Sequence, residues 1–258
     1  MIHSPPSALN LLDNSLPVPL PNHEAKNKLA FALDVPNRKE AVRFIQTLEE
    51  YVGCFKVGLE LFIREGPDIL KAVREHSSAD IFLDLKLHDI PATVRGALVS
   101  ASQHGAKYIT VHTSGGREML QTAEEVESQG LEVLAVTVLT SLDQKELVAL
   151  GYREEMSLKQ LVLEKAALAE KSGCRGVVCS GNELKTVKQQ FGNRLKLVVP
   201  GIRPKWGGFE GDDQNRITTP AQAIKDGADL LVVGRPIRNA KNPKEAAEKI
   251  LQEIASTC

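Results

Sequence analysis

From Leu29 onward the chain repeats one unit: a short apolar, β-branched run, then a longer stretch of helical period. The runs fall at 29–35 (LAFALDV), 53–58 (GCFKVG), 80–85 (DIFLDL), 107–112 (KYITVH), 132–139 (EVLAVTVL), 175–180 (RGVVCS), 195–200 (LKLVVP) and 229–234 (DLLVVG). Helical stretches lie near 37–51, 64–76, 91–104, 116–128, 157–172, 182–190, 219–226 and 243–255. Thr219-Pro220 and Asn242-Pro243 read as N-caps followed by proline at the first helical position. This alternation constrains the fold to parallel strands with crossover helices. The 258 residues match the roughly 250 of a closed (β/α)8 TIM barrel. An open doubly wound sheet is the other fold that alternation allows, but no G-x-G-x-x-G follows the first run.

Residues 1–27 are different. Pro5, Pro6, Pro17, Pro19 and Pro21 forbid a continuous helix, so this segment reads as an irregular N-terminal tail, and 28–258 as a single catalytic barrel domain. The apolar group at Leu9, Leu11 and Leu12 has no Lys or Arg before it, unlike a secretory signal. The formal net charge of −1 argues against a nucleic-acid footprint, and no apolar run is long enough to span a bilayer. Cys54, Cys174, Cys179 and Cys258 form no C-x-x-C pair and read as free thiols in a reducing cytoplasm. The histidines show no metal-ligand spacing.

Barrel strands are buried on both faces, so charges within them need a reason. Asp34 ends the first run, Lys56 lies in the second, Asp84 and Lys86 close the third, and Asp89 follows in the loop. Residues i and i+2 share a face, which puts Asp84 and Lys86 together. An ion-pair network holding the rim is the plain reading of one such pair. Charges on three consecutive strands, all near C-terminal ends, point instead to the mouth where barrel enzymes do their chemistry.

The loops after strands seven and eight, where barrels often bind phosphate, carry Pro200-Gly201-Ile202-Arg203 and Gly234-Arg235. Glycine lets backbone N–H groups approach phosphate oxygens, and arginine offers a bidentate fork. Between the two lies a glycine-rich loop over 204–216, which contains Trp206, the only tryptophan, and reads as a lid that closes onto something. His88 reads as a packing residue; His112, at the end of strand four, reads equally as structural or supporting the site.

Taken together, these strings resemble the orotidine 5′-phosphate decarboxylase family, bacterial type. Asp84-Leu85-Lys86-Leu87-His88-Asp89-Ile90-Pro91-Ala92-Thr93-Val94 is similar to the family's D-x-K-x-x-D-I-P-x-T-V signature. ALD ending at Asp34, FKVG around Lys56, VTVLTS over 136–141, PGIR over 200–203, DQ-x-R-x-x-TP over 213–220 and VVGR over 232–235 follow in the family's order. The resemblance spans roughly 29–251; the proline-rich tail has no counterpart in the pattern, and the loop from Lys205 to Asp212 is slightly longer than the bacterial form.

The resemblance implies cofactor-independent decarboxylation of orotidine 5′-phosphate to uridine 5′-phosphate, in de novo pyrimidine synthesis, with no metal. Lys86 would protonate C6, Asp84 would face the departing carboxylate, and Lys56 would join the same array and touch the ribose. Asp34 would hold a ribose hydroxyl, and Thr140 would help recognise the pyrimidine. Arg203, Gln214, Gly234 and Arg235 would bind phosphate. Asp89 and Thr93 would reach into the neighbouring site of a homodimer.

The chemistry suits these residue types. Loss of CO2 leaves an in-plane carbanion that the ring cannot delocalise, so an ammonium must stabilise it electrostatically. Burial would strip Lys86 of its proton unless carboxylates such as Asp84 and Asp89 offset the desolvation. Two alternatives remain. One is a metal-dependent sugar-phosphate decarboxylase of a related barrel family, sharing D-x-K-x-x-D but working through Mg2+ and an enediolate; the other is a non-catalytic barrel that binds a phosphorylated ligand.

Overall fold

All eight runs form strands in the computed structural model, which describes residues 23–207 and 216–257. They are β1 (Leu29–Ala32), β2 (Cys54–Gly58), β3 (Asp80–Leu87), β4 (Tyr108–His112), β5 (Glu132–Val136), β6 (Gly176–Val178), β7 (Lys196–Val199) and β8 (Leu230–Val233). Each pairs in parallel with its sequence neighbours, and β1 pairs with β8 to close the barrel. The (β/α)8 architecture expected from the sequence is the one observed.

Side-chain parity sorts the core. Even-numbered residues face inward, so Ala30, Cys54, Phe82, Leu134, Val198 and Leu230 fill the interior. Odd-numbered residues such as Phe31, Phe55, Leu83 and Val133 pack outward beneath the helices. Strand ends differ from expectation: β1 stops at Ala32 and β5 at Val136, leaving Asp34 and the Val138–Thr140 segment in loops. The sequence reads strand on to residues 35 and 139 because Leu33, Val35 and Val138 continue the apolar pattern, buried, beyond the last ladder bond.

The helical stretches number more than eight. The one expected at 64–76 is two helices, Leu59–Glu65 and Asp68–His76, because Gly66 adopts a left-handed φ of 62° and Pro67 follows it. The stretch near 116–128 likewise divides into Gly116–Gln121 and Glu124–Glu127. A helix at Gln144–Ala149 and a four-residue turn at Arg235–Arg238 were not expected. The two proline-led caps are as read: Thr219 accepts from the Gln222 N–H and Asn242 from the Glu245 N–H.

Residues 23–27 correct the tail. His23–Asn27 is a helix rather than irregular chain, since the last proline is Pro21 and nothing beyond it breaks a turn. Glu24 and Lys28 pair across one turn at 3.1 Å, and Ala25 is fully buried. The helix abuts the N-terminal end of the barrel, where the Gly53 N–H donates to the Lys26 carbonyl at 2.8 Å. The remainder of the tail lies outside the described residues. Cys54, Cys174 and Cys179 are free and buried, and burial raises all three thiols, Cys174 and Cys179 to about 12. Among the described residues no helix is long and apolar enough to cross a membrane.

Gly53 has no room for a side chain, because a Cβ would lie 2.7 Å from the Asn27 Cα and 2.8 Å from the Lys26 carbonyl oxygen, both backbone atoms. Gly53→Ala is therefore expected to cost about 1–3 kcal/mol by displacing the N-terminal helix. A lower urea midpoint with an unchanged m-value would show this; an unmoved midpoint would refute it.

Candidate active site

The C-terminal mouth of the barrel opens into a cavity of about 560 Å3. Its floor is a row of alternating charge. Lys56 on β2 lies 3.1 Å from Asp34 Oδ1 and 3.5 Å from Asp84 Oδ2, and the Lys86 ammonium lies 2.9 Å from Asp84 Oδ1. The sequence put Asp84 and Lys86 on one face and all four charges at the C-terminal mouth, and the structure brings the four together. Asp34 does so from the loop just past β1, keeping the inward parity of that strand.

The β3–β4 pairing shifts register between Leu83 and Leu87, so Asp84 and Lys86 sit in a bulge. Lys86 has a φ of 50°, the only non-glycine residue with positive φ among those described. This left-handed backbone costs about 1–2 kcal/mol for a residue with a Cβ. The surroundings hold it. The Lys86 N–H donates to Thr110 Oγ1 at 2.9 Å, and the Thr110 hydroxyl donates to Asp84 Oδ1 at 2.9 Å.

Charge balance follows from this packing. Burial alone would lower the Lys56 pKa, but Asp84 and Asp34, through charge and hydrogen bonds, outweigh it and hold the ammonium above the ordinary lysine range. Burial alone would raise Asp84, but Lys56, Lys86 and the Thr110 hydrogen bond hold it below the ordinary aspartate range.

Thr140, Arg203, Gly234 and Arg235 all line the same cavity, Arg203 nearly buried and Gly201 beside it at a left-handed φ of 73°. Asp89 and Thr93 do not join them. Both are exposed, and the Asp89 carboxylate accepts from the Ile90 N–H at 2.6 Å instead of flanking Lys86 in its own chain. The expectation that Asp89 offsets Lys86 desolvation therefore does not hold within one chain, because Ile90-Pro91 turns into a helix that leads away from the mouth. Gln214 lies outside the described residues.

Trp206 faces the C-terminal helix Pro243–Ala255, not the cavity: its indole N–H donates to Glu253 at 2.9 Å, with the Lys249 ammonium 5.7 Å from the ring. His112 is half-buried and stacks on exposed His88 at 5.6 Å; burial, Lys165, His88 and Lys86 all lower its pKa. Neither histidine lines the cavity.

Several working residues escaped the sequence reading. Thr110 could have been found as the only polar residue of inward parity between Tyr108 and His112. Gly58 leaves the pair room, because a Cβ there would sit tightly, 3.0 Å from the Lys56 ammonium and 3.1 Å from Asp34 Oδ1. Arg238 lines the cavity and donates to the Asp34 backbone carbonyl. Arg216 and Glu183 form a buried ion pair at 3.1 Å. Nothing in local pattern marks Arg238 or Glu183, and Arg216 stands in the DQ-x-R-x-x-TP string with no sign there of its partner.

Fold and site together define a (β/α)8-barrel enzyme whose mouth carries a partly buried lysine–aspartate array. The sequence matches the Orotidine 5′-phosphate decarboxylase / HUMPS family over residues 27–250, and the chain belongs to that family. An orotidine 5′-phosphate decarboxylase from Desulfosudis oleivorans is 45% identical over 232 residues, covering 89% of this chain and 93% of that protein. One from Gloeothece citriformis is 44% identical, covering 89% and 98%. The crystal structure of orotidine 5′-phosphate decarboxylase from Lactobacillus acidophilus superposes with a TM-score of 0.77 at 33% identity, covering 88% of this chain and 99% of that one.

Asp84 is the shared counter-charge of both lysines, and Asp84→Asn should expose its weight. The substitution is expected to cost about 2–4 kcal/mol, somewhat less than breaking a fully buried pair because Lys86 is 32% exposed. The sign with pH follows from the depressed carboxyl. Its contribution is full above the ordinary aspartate value of 3.8 and disappears as pH falls through the lower folded value. Urea denaturation of both proteins should give a constant difference near neutrality that shrinks below about pH 4; a difference independent of acid would contradict the array.

Proposed function

We propose that this chain decarboxylates orotidine 5′-phosphate to uridine 5′-phosphate, without metal or cofactor, in pyrimidine synthesis. The observation that carries the reading is the placement of the Lys86 ammonium, hydrogen-bonded to Asp84, on the cavity floor. In the reaction, the bond from C6 to the carboxylate breaks, CO2 leaves, and the electron pair stays on C6. Lys86 then gives its Nζ proton to C6 and recovers one from solvent.

Asp84 faces the departing carboxylate, and like-charge repulsion there favours loss of CO2. Lys56 and Asp34 hold the ribose. Arg203, Arg235 and the backbone at Gly234 bind the phosphate, with Gln214 reaching the same group, while Thr140 meets the pyrimidine. A single ion pair at about 4 Å supplies roughly 4 kcal/mol at an effective dielectric near 20. Enzymes lower barriers by about 8–23 kcal/mol, so holding the remote phosphate must supply much of the rest by orienting the base over Lys86.

The metal-free reading is supported by the occupancy of the carboxylates: Asp34 and Asp84 each already face an ammonium. Among the described residues no group of three or more His, Cys, Asp or Glu side chains could hold an ion. Following the ultraviolet change as orotidylate becomes uridylate tests the whole proposal. Wild type is expected to turn over equally with and without EDTA, and Lys86→Ala to lose at least about a thousandfold, since it removes both the general acid and the counter-charge. Loss of activity in EDTA would favour the metal-dependent alternative; turnover by the alanine variant would refute the role of Lys86.

The working unit in this reading is a cytoplasmic homodimer in which Asp89 and Thr93 complete the partner's site. Support comes from their exposure beside Ile90, itself 65% exposed. Mixing inactive Lys86→Ala and Asp89→Asn chains under conditions that exchange subunits should restore part of the activity, because half the sites in a mixed dimer then carry both native residues. No recovery on mixing would oppose a shared site.

A further inference from the structure

Arg216 is 8% exposed and Glu183 6%, a deeply buried ion pair outside the charge array. Such pairs contribute little to stability against apolar replacements, so their retention calls for another reason. The partners of Arg216 supply one. Its Nη1 meets Glu183 Oε1 at 3.1 Å, its Nη2 donates to the Leu139 carbonyl at 2.6 Å, and Nη2 and Nε approach the Val138 and Thr140 carbonyls, each at 3.5 Å.

Three successive carbonyls of the loop after β5 thus converge on one guanidinium, and Val138, Leu139 and Thr140 line the cavity. Glu183 in turn sits in the first turn of the helix Gly181–Phe191, after β6, where its second oxygen meets the Ser180 hydroxyl. The chain just past Arg216 is the returning arm of the loop after β7, and it is tied to the outgoing arm by a separate set of bonds. The Arg203 N–H donates to the Thr218 carbonyl and the Thr218 N–H to the Gly201 carbonyl, backbone to backbone, without the guanidinium.

We infer that Arg216, anchored by Glu183, is a positioning residue that sets the Val138–Thr140 wall of the cavity against the base of the nucleotide, leaving the phosphate end to backbone contacts that do not need it. The inference rests on the nucleotide reading above, in which Thr140 lies at the pyrimidine end and Arg203 at the phosphate end. A residue serving only stability would affect both ends alike.

The test compares two ligands on the full-length protein by calorimetry: uridine 5′-phosphate, which uses the wall, and ribose 5-phosphate, which does not. Arg216→Met is expected to weaken uridylate about tenfold or more, as loss of buried hydrogen bonds to the carbonyls lets the wall relax, with ribose 5-phosphate held within about twofold. Glu183→Gln, which keeps the shape and one hydrogen bond but not the charge, should give a smaller loss of the same selectivity. Equal weakening of both ligands, or of neither, would overturn the inference. Wild type that binds ribose 5-phosphate but not uridylate would instead bring down the nucleotide reading, and the inference with it. If Arg216→Met does not fold, Glu183→Gln carries the comparison; failure of both to fold assigns the pair to folding and overturns the positioning role.

Discussion

Asp84 is where two buried or half-buried ammonium groups and a hydroxyl meet on one carboxylate, and the rest of the mouth is arranged to permit it. Remove that anion and Lys56, at 9% exposure, keeps only the half-exposed Asp34 as counter-charge. The bulge in β3 makes sense in the same terms. It lets Asp84 and Lys86 lean together while Thr110 takes up the Lys86 N–H that the shifted ladder leaves without a β4 backbone acceptor. Left-handed backbone at a lysine is unfavourable alone, and it persists where hydrogen bonds on both sides over-determine it.

The two ends of the barrel show why charge within a strand is not by itself a sign of function. At the N-terminal mouth, Lys196 lies 2.6 Å from Glu132 and donates to the Tyr108 hydroxyl at 3.1 Å, while Lys107 pairs with Glu132 at 3.1 Å. Burial raises the Tyr108 hydroxyl pKa, so this group stays a neutral hydrogen-bonding partner. These groups lie at the N-terminal ends of β4, β5 and β7. Those at the other end face a cavity bounded by arginines. What separates the two sets is position along the strand, since the loops that shape a pocket lie at the C-terminal ends.

That distinction also sets how far the sequence could be read. Alternation of short apolar runs with helical period specified eight strands and their order, because parallel strands buried on both faces admit little else. The parity of Asp84 and Lys86 put them on one face, and the glycine–arginine pairs located the far wall. Boundaries were less legible. Leu33, Val35 and Val138 remain buried outside the ladder, and apolar pattern reports burial rather than hydrogen bonding. Contacts between distant segments were not legible at all: Arg216 meets Leu139 and Glu183 across stretches with no shared period, and Gly58 matters only because a lysine and an aspartate converge over it.

The two lysines of the array are not equivalent, and the difference follows from counting their partners. Lys56 is 9% exposed and is gripped by Asp34 and Asp84, so giving up its proton would leave a buried carboxylate and a half-exposed one against a neutral amine. Lys86 is 32% exposed, touches a single carboxylate and faces the cavity. Lys86, with its ammonium facing the cavity, is the one placed to give a proton to a strong base formed there. A carbanion at C6 is such a base. In the proposed reaction Lys56 therefore works as a fixed brace that keeps Asp84 ionised, and Lys86 as the group that can discharge. Thr110 donates to the same Asp84 oxygen as Lys86, so the carboxylate has a second fixed contact besides the ammonium.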